Sequence, residues 1–496
     1  MGATGRHKRL NGHKANAKRA HRHHSEVKAP TNTEPSNHDV TETSGRSNSP
    51  RSAGKTVIIK EAMFSMKAFN AERDLPIVYS DKYNIYMAGL ELLHHFDTKK
   101  YSKMANLLND EFMDTNYARL RHYDEPHREG DEDHIRPRRL RYLSPNRPIS
   151  LEELEIHHHG AYVARIHENK SLIARITEIW LLNLVPMCAI EARLLLPLRW
   201  QVAGTIYATL LAMQHGWAIN LGGGFHQSSA SDGRTFCLFS DVCLAMKYVW
   251  RRHPLQKFMI IDLDAHQATG LERDIIELEP KRRKMVFVLD VFNVTIQPPD
   301  LAADRGIDLR VELGRFTGDE TYLLKIEEAL EAAFSKFKPT VIIYIAGQDV
   351  LRDDQLGLMS LSDEALFRRD ERVFSWATER QKCPILMLLG GGYLARGTKV
   401  QAESIRNLFA KGLIWGGHRS GSRSLSRPLR AMRTEAPRIA PRQTTDIASN
   451  IVANSEPVKA KVIPTAPVSK RFVEKRAADV SAAKQASDVS GTKKTR

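Results

Sequence analysis

Lys257-Phe258-Met259-Ile260-Ile261-Asp262-Leu263-Asp264-Ala265-His266-Gln267 begins as a buried strand and ends in ligand chemistry. Side chains on a strand alternate faces with period two. Asp262, Asp264 and His266 therefore share one face. Two carboxylates and an imidazole ending an apolar run need compensation. A divalent metal supplies it, because Asp oxygen and His nitrogen are good zinc ligands. From this stretch alone, a strand end whose polar groups meet solvent or cap the next helix reads equally well.

Outward from it, further apolar runs occur at 217–221, 285–291, 340–346 and 384–389. Amphipathic helical patterns separate several of them, at 241–252, 320–337, 362–380 and 400–409. Continuous apolar strands alternating with helices predict an α/β fold, an open, mostly parallel sheet with helices on both faces. Residues 173–213 read as further helix, with Pro197 marking a break.

The chain has 496 residues and a hydrophobic fraction of 42%, enough for a substantial core. Its net charge of +16 is uneven: residues 1–55 carry +7 and 418–496 carry +11, which leaves −2 for 56–417. Residues 1–72 and 416–496 have few large apolar groups and read as disordered basic tails around one domain, 73–415. Such tails suit nuclear import and weak, non-specific nucleic-acid contact through phosphates, but no arrangement in them reads bases. Residues 114–150, dense in both charge signs, read as a surface insertion. Cys188, Cys237, Cys243 and Cys383 form no CxxC pair and suit reduced thiols. No secretory signal is visible, and Arg6 stands where a myristoylation signal wants Ser or Thr. The most apolar stretch, 179–190, is too short to span a membrane, so no membrane partner is expected.

Ligands of open α/β sheets bind at the carboxyl ends of the strands. Four of the five apolar runs end in unusual groups: Gly222-Gly223-Gly224-Phe225-His226, Asp264-Ala265-His266, Gly347-Gln348-Asp349 and Gly390-Gly391-Gly392-Tyr393. Any one of these has a bland explanation as a turn. Together they put two histidines, carboxylates and a tyrosine on one rim. Asp264, His266 and Asp349 offer three metal ligands and leave positions open for water and substrate. Tyr393 can donate to a developing oxyanion. His226 can orient water or carry a proton, with Asp262 supporting it. Gly391 and Gly392 let backbone approach a ligand closely. This is a constellation for hydrolysing an amide.

These residues, in this order, resemble the zinc-dependent histone deacetylase family, and its class IV branch most closely. The resemblance runs from about Pro76 to Leu413. It includes Ile77-Val78-Tyr79-Ser80, Gly216-Trp217-Ala218-Ile219-Asn220, the glycine–phenylalanine–histidine turn and Asp262-Leu263-Asp264-Ala265-His266-Gln267. It implies an arginase/deacetylase-like fold with Asp264, His266 and Asp349 as zinc ligands and Tyr393 as transition-state donor. It also implies a potassium ion near the strand carrying Asp262, held mainly by backbone oxygens. The implied substrate is acylated lysine on histones or other proteins. Corepressor-type partners and a place in the nucleus or cytoplasm are expected with it.

Three departures stand out. Family members carry two adjacent histidines after the glycine turn, the second usually assigned as general base; here they are His226 and Gln227. Glutamine cannot take a proton near neutral pH. Thr269 stands where many members have a carboxylate that orients the second histidine. Of the acyl-lysine channel walls, Phe236 and Leu356 match, whereas Gln297 takes an aromatic position. The departures leave two readings, a slow zinc hydrolase or a metal-binding pseudoenzyme that recognises acyl-lysine or scaffolds a complex. A small-molecule amide substrate is a third. Two aspartates and one histidine also accept iron or cobalt.

Overall fold

A computed structural model describes residues 74–112, 140–297 and 300–415. Both expected tails, most of the charged insertion and Pro298-Pro299 lie outside the described residues. The apolar runs become strands, in chain order β1 (Ile77–Val78), β2 (Trp217–Asn220), β3 (Phe258–Asp262), β4 (Val286–Asn293), β5 (Leu309–Leu313), β6 (Val341–Ile345) and β7 (Ile385–Leu388). They form one parallel sheet in the order β1-β2-β7-β6-β3-β4-β5. The two strands outside the five expected runs, β1 and β5, are the sheet edges. An edge needs less burial, and Leu309-Arg310-Val311-Glu312-Leu313 alternates apolar and charged residues instead of running apolar.

The sheet is covered on both faces. One core layer holds Phe258 and Ile260 of β3, with Val202 and Ile206 of a long helix and Val242 and Leu271 of two others. The other holds Met259, Ile261 and Leu263, with Ile326, Leu366 and Ile405. The period of two along β3 thus sorts neighbouring residues into opposite layers, and it sends Asp262 towards the first. The helices used below are α1 (Lys100–Phe112), α2 (Gly160–Glu168), α3 (Lys170–Thr177), α4 (Leu196–His215), α5 (Asp241–Arg252), α6 (Thr269–Ile276), α7 (Asp319–Lys336), α8 (Asp363–Phe374) and α9 (Gly397–Ala410).

One expectation needs correction. Pro197 does not break its helix: the chain stays helical from Met187 to His215. A π-helical turn at Glu191–Leu195 precedes the proline, so its missing N–H and bulky ring are absorbed by a wider turn. Within residues 140–150, the described end of the charged stretch, Leu143 is buried and bridges Val78 at the sheet edge. Tyr79 N donates to Leu143 O, and Leu143 N donates to Ile77 O.

Candidate active site

The four adjacent strands β2, β7, β6 and β3 carry the chemistry at their carboxyl ends. Asp264 and His266 follow β3, and Asp349 follows β6. A donor atom from each lies within 4.8 Å of the others. His266 Nδ1 is 2.8 Å from Asp349 Oδ2 and 3.1 Å from Asp264 Oδ1. The two carboxylates are wholly buried, while His266 keeps some exposure towards the pocket. Glycines make this packing possible. A Cβ on Gly347 or on Gly391 would stand 2.5 Å from Asp264 Oδ2, and Gly391 N donates to that oxygen at 2.8 Å.

Electrostatics tie the cluster together. Burial raises Asp349 to about 7, helped by the charge of Asp264. For Asp264 burial pushes the same way, but the imidazoles of His226 and His266 outweigh it and hold the carboxyl well below the usual range. Burial disfavours charge on His266, yet both carboxylates together lift it to about 10. Two carboxylates and an imidazole thus crowd around a proton that a dication can replace. This donor set suits zinc.

Across the pocket, His226 Nδ1 lies 2.8 Å from Asp262 Oδ2, and its Nε2 is 3.6 Å from Asp264 Oδ1. Gln227 beside it is fully engaged. Thr269 Oγ1 donates to Gln227 Oε1 at 2.8 Å, and Gln227 Nε2 donates to Gln267 O at 2.6 Å. The same Nε2 sits 3.3 Å from His226 Nε2. The amide therefore presents only N–H towards the pocket. Thr269 thus holds the Gln227 amide in place. Tyr393 follows β7; its ring meets that of His266 edge-on at 6.3 Å between centroids. Burial, then the charges of Asp264 and Asp349, keep its phenol protonated.

A histone deacetylase domain is recognised over residues 115–408. The chain belongs to the histone deacetylase family. Among its relatives, Histone deacetylase 2 of Arabidopsis thaliana is 36% identical over 68% of this chain and 79% of its own length. An uncharacterised protein of Picosynechococcus is 31% identical over 39% of this chain and 61% of its own. The solved structure of a histone deacetylase homologue complexed with SAHA aligns with 68% of this chain and 84% of its own, at 19% identity and a TM-score of 0.47.

A cavity of about 230 Å³ beside Tyr393 is lined by His95, Asp353, Gln355, Leu356, Tyr393 and Leu394. Phe236 is buried, stacked on Phe96 at 5.6 Å and against His94 at 5.0 Å. Gln297 is half-buried just past β4.

Several supports escaped the sequence reading. Lys100 is buried, and its Nζ donates to Gly390 O at 2.8 Å and Gly391 O at 3.1 Å, steadying the loop before Tyr393. Nothing local distinguished it from the neighbouring Lys99. Asp354 accepts from the backbone N–H groups of Leu356, Gly357 and Tyr393, and so joins two loops of the pocket. Its position soon after Asp349 was the one available signal.

Proposed function

We propose that this deacetylase-family chain is a zinc-dependent protein lysine deacetylase, class IV-like, with His226 as its sole imidazole acid/base. The observation that carries this is the Asp264–His266–Asp349 cluster with His226 Nε2 3.6 Å from Asp264 Oδ1 and the Tyr393 ring edge-on to His266. Zinc held by these three residues supplies a Lewis acid for the amide carbonyl and acidity for a water. Tyr393 donates its O–H to the oxygen that gains negative charge. Asp262 holds the Nδ1 side of His226, so Nε2 is the atom that takes and returns a proton. Gln227 donates a hydrogen bond but carries no proton. Loss of a positioned acid/base costs ~10²–10⁴ in rate, so this enzyme is slow.

The substrate follows from the same reading: acylated lysine on histones or other proteins. A potassium ion beside the strand carrying Asp262, held mainly by backbone oxygens, belongs to the same reading. A place in the nucleus rests on the basic tails, and a fluorescent fusion lacking residues 418–496 tests the C-terminal one. The activity test is single-turnover hydrolysis of an acetyl-lysine peptide by the zinc-loaded full chain, with His226→Ala as control. Turnover that disappears in His226→Ala is expected. Clear peptide binding with no turnover above buffer overturns the enzyme reading in favour of an acyl-lysine binder. That alternative draws on Gln227 standing beside His226 with no group that takes a proton.

A further inference from the structure

A second cluster of ligand-type side chains lies away from the rim. His157 precedes α2, Cys243 lies in α5 and Asp274 in α6. Each offers one donor atom, and the three atoms lie within 4.8 Å of one another. Among the described residues, this group and the rim group are the two that meet. The three side chains are 6%, 1% and 3% exposed. His157 Nε2 is 2.6 Å from Asp274 Oδ2, as close as the imidazole and carboxylate of the rim cluster.

The surroundings leave Asp274 Oδ2 facing this cluster. Its other oxygen accepts from Ala230 N at 2.7 Å. Ser240 Oγ lies 3.0 Å from Oδ2 and brings a fourth donor atom. The backbone at both points is pinned by His158, whose Nε2 accepts from Ser240 N at 3.0 Å and whose Nδ1 faces Ala230 O at 3.3 Å. A plain imidazole–carboxylate hydrogen bond accounts for two members of the group. Cys243, from a third element, lies in hydrogen-bond reach of the same carboxylate and of Ser240, so all these donors face one point. Thiolate, imidazole and carboxylate together form a zinc-type donor set.

We propose that His157, Cys243 and Asp274, with the Ser240 hydroxyl as fourth donor, form a second, buried site for a structural zinc-class dication. Binding displaces the Cys243 thiol proton to solvent, while His157 ligates as a neutral imidazole with its ring proton moved from Nε2 to Nδ1. The ion ties α5 and α6 to the turn before α2. It thereby braces the segment from His226 to Ser240, because Asp274 already holds Ala230. The site takes no part in hydrolysis, so it stands whether or not the chain turns over substrate.

The test uses the full chain carrying Asp264→Ala and His266→Ala, loaded with cobalt(II). The rim cluster contains no sulfur, so a near-ultraviolet sulfur-to-cobalt charge-transfer band reports the second site alone. About one equivalent of cobalt with that band is expected, and Cys243→Ser should abolish the band. If Cys243→Ser fails to fold, loss of the band in a His157→Gln chain with unchanged circular dichroism decides instead. A folded chain that takes up no cobalt, or takes it up without the band, overturns the proposal and leaves a hydrogen-bonded cluster only.

Discussion

At the scale of single residues, Gln227 and Thr269 form a hydrogen-bonded pair. The hydroxyl of Thr269 is matched to the Gln227 amide and could not hold an imidazole as a carboxylate would. Gln227→His alone should therefore regain only part of the lost rate, about tenfold against the ~10²–10⁴ of a fully positioned base. Adding Thr269→Asp should raise the rate by about another tenfold, while Thr269→Asp alone should lower it by stripping Gln227 Oε1 of its donor. A double-mutant cycle on single-turnover rates measures this coupling. Purely additive effects would show that the two positions act independently.

Among the elements, α8 deserves comparison with the strands it covers. Arg369 is wholly buried and donates to Gly347 O at 2.5 Å, with Leu263 O at 3.5 Å. Those carbonyls end β6 and β3, next to Asp349 and Asp264. Asp370 accepts from Arg369 Nε at 2.9 Å and from Tyr344 and Ser404 hydroxyls. Burial costs the guanidinium, but Asp370 outweighs it and keeps the charge. Arg369→Leu leaves Asp370 a buried charge without its cation and frees both carbonyls. The expected loss is about 3–5 kcal/mol, read from urea unfolding. A loss under about 1 kcal/mol would mean that the clamp adds little.

Over the whole molecule, Lys100 links α1 to the loop after β7. Burial lowers its ammonium to about 8, although Asp264 and Asp349 pull the other way. An unfolded lysine titrates near ~10.4. Between these values the unfolded chain holds a proton that the folded chain has released, so this group's contribution to stability rises with pH. Below about pH 8 the full cost of the buried charge is present. The stability difference between the natural chain and Lys100→Met should therefore shift in favour of the natural chain from about pH 8 upward, by at most about 1.4 kcal/mol per pH unit. A pH-independent difference in urea unfolding would refute this.

Much of the protein was legible in the chain itself. Apolar runs of strand length, broken by helical periodicity, determined a parallel sheet, because a strand buried on both faces cannot alternate. Period two along 258–266 put Asp262, Asp264 and His266 on one face, and the glycines after β2, β6 and β7 marked where strands end. Other features depended on distance in space. No local pattern shows that Lys100 reaches Gly390, that Phe236 stacks on Phe96, or that His157, Cys243 and Asp274 converge. A residue's own neighbours in sequence set its periodicity. Which distant backbone or side chain satisfies a buried polar group is decided only when the layers pack.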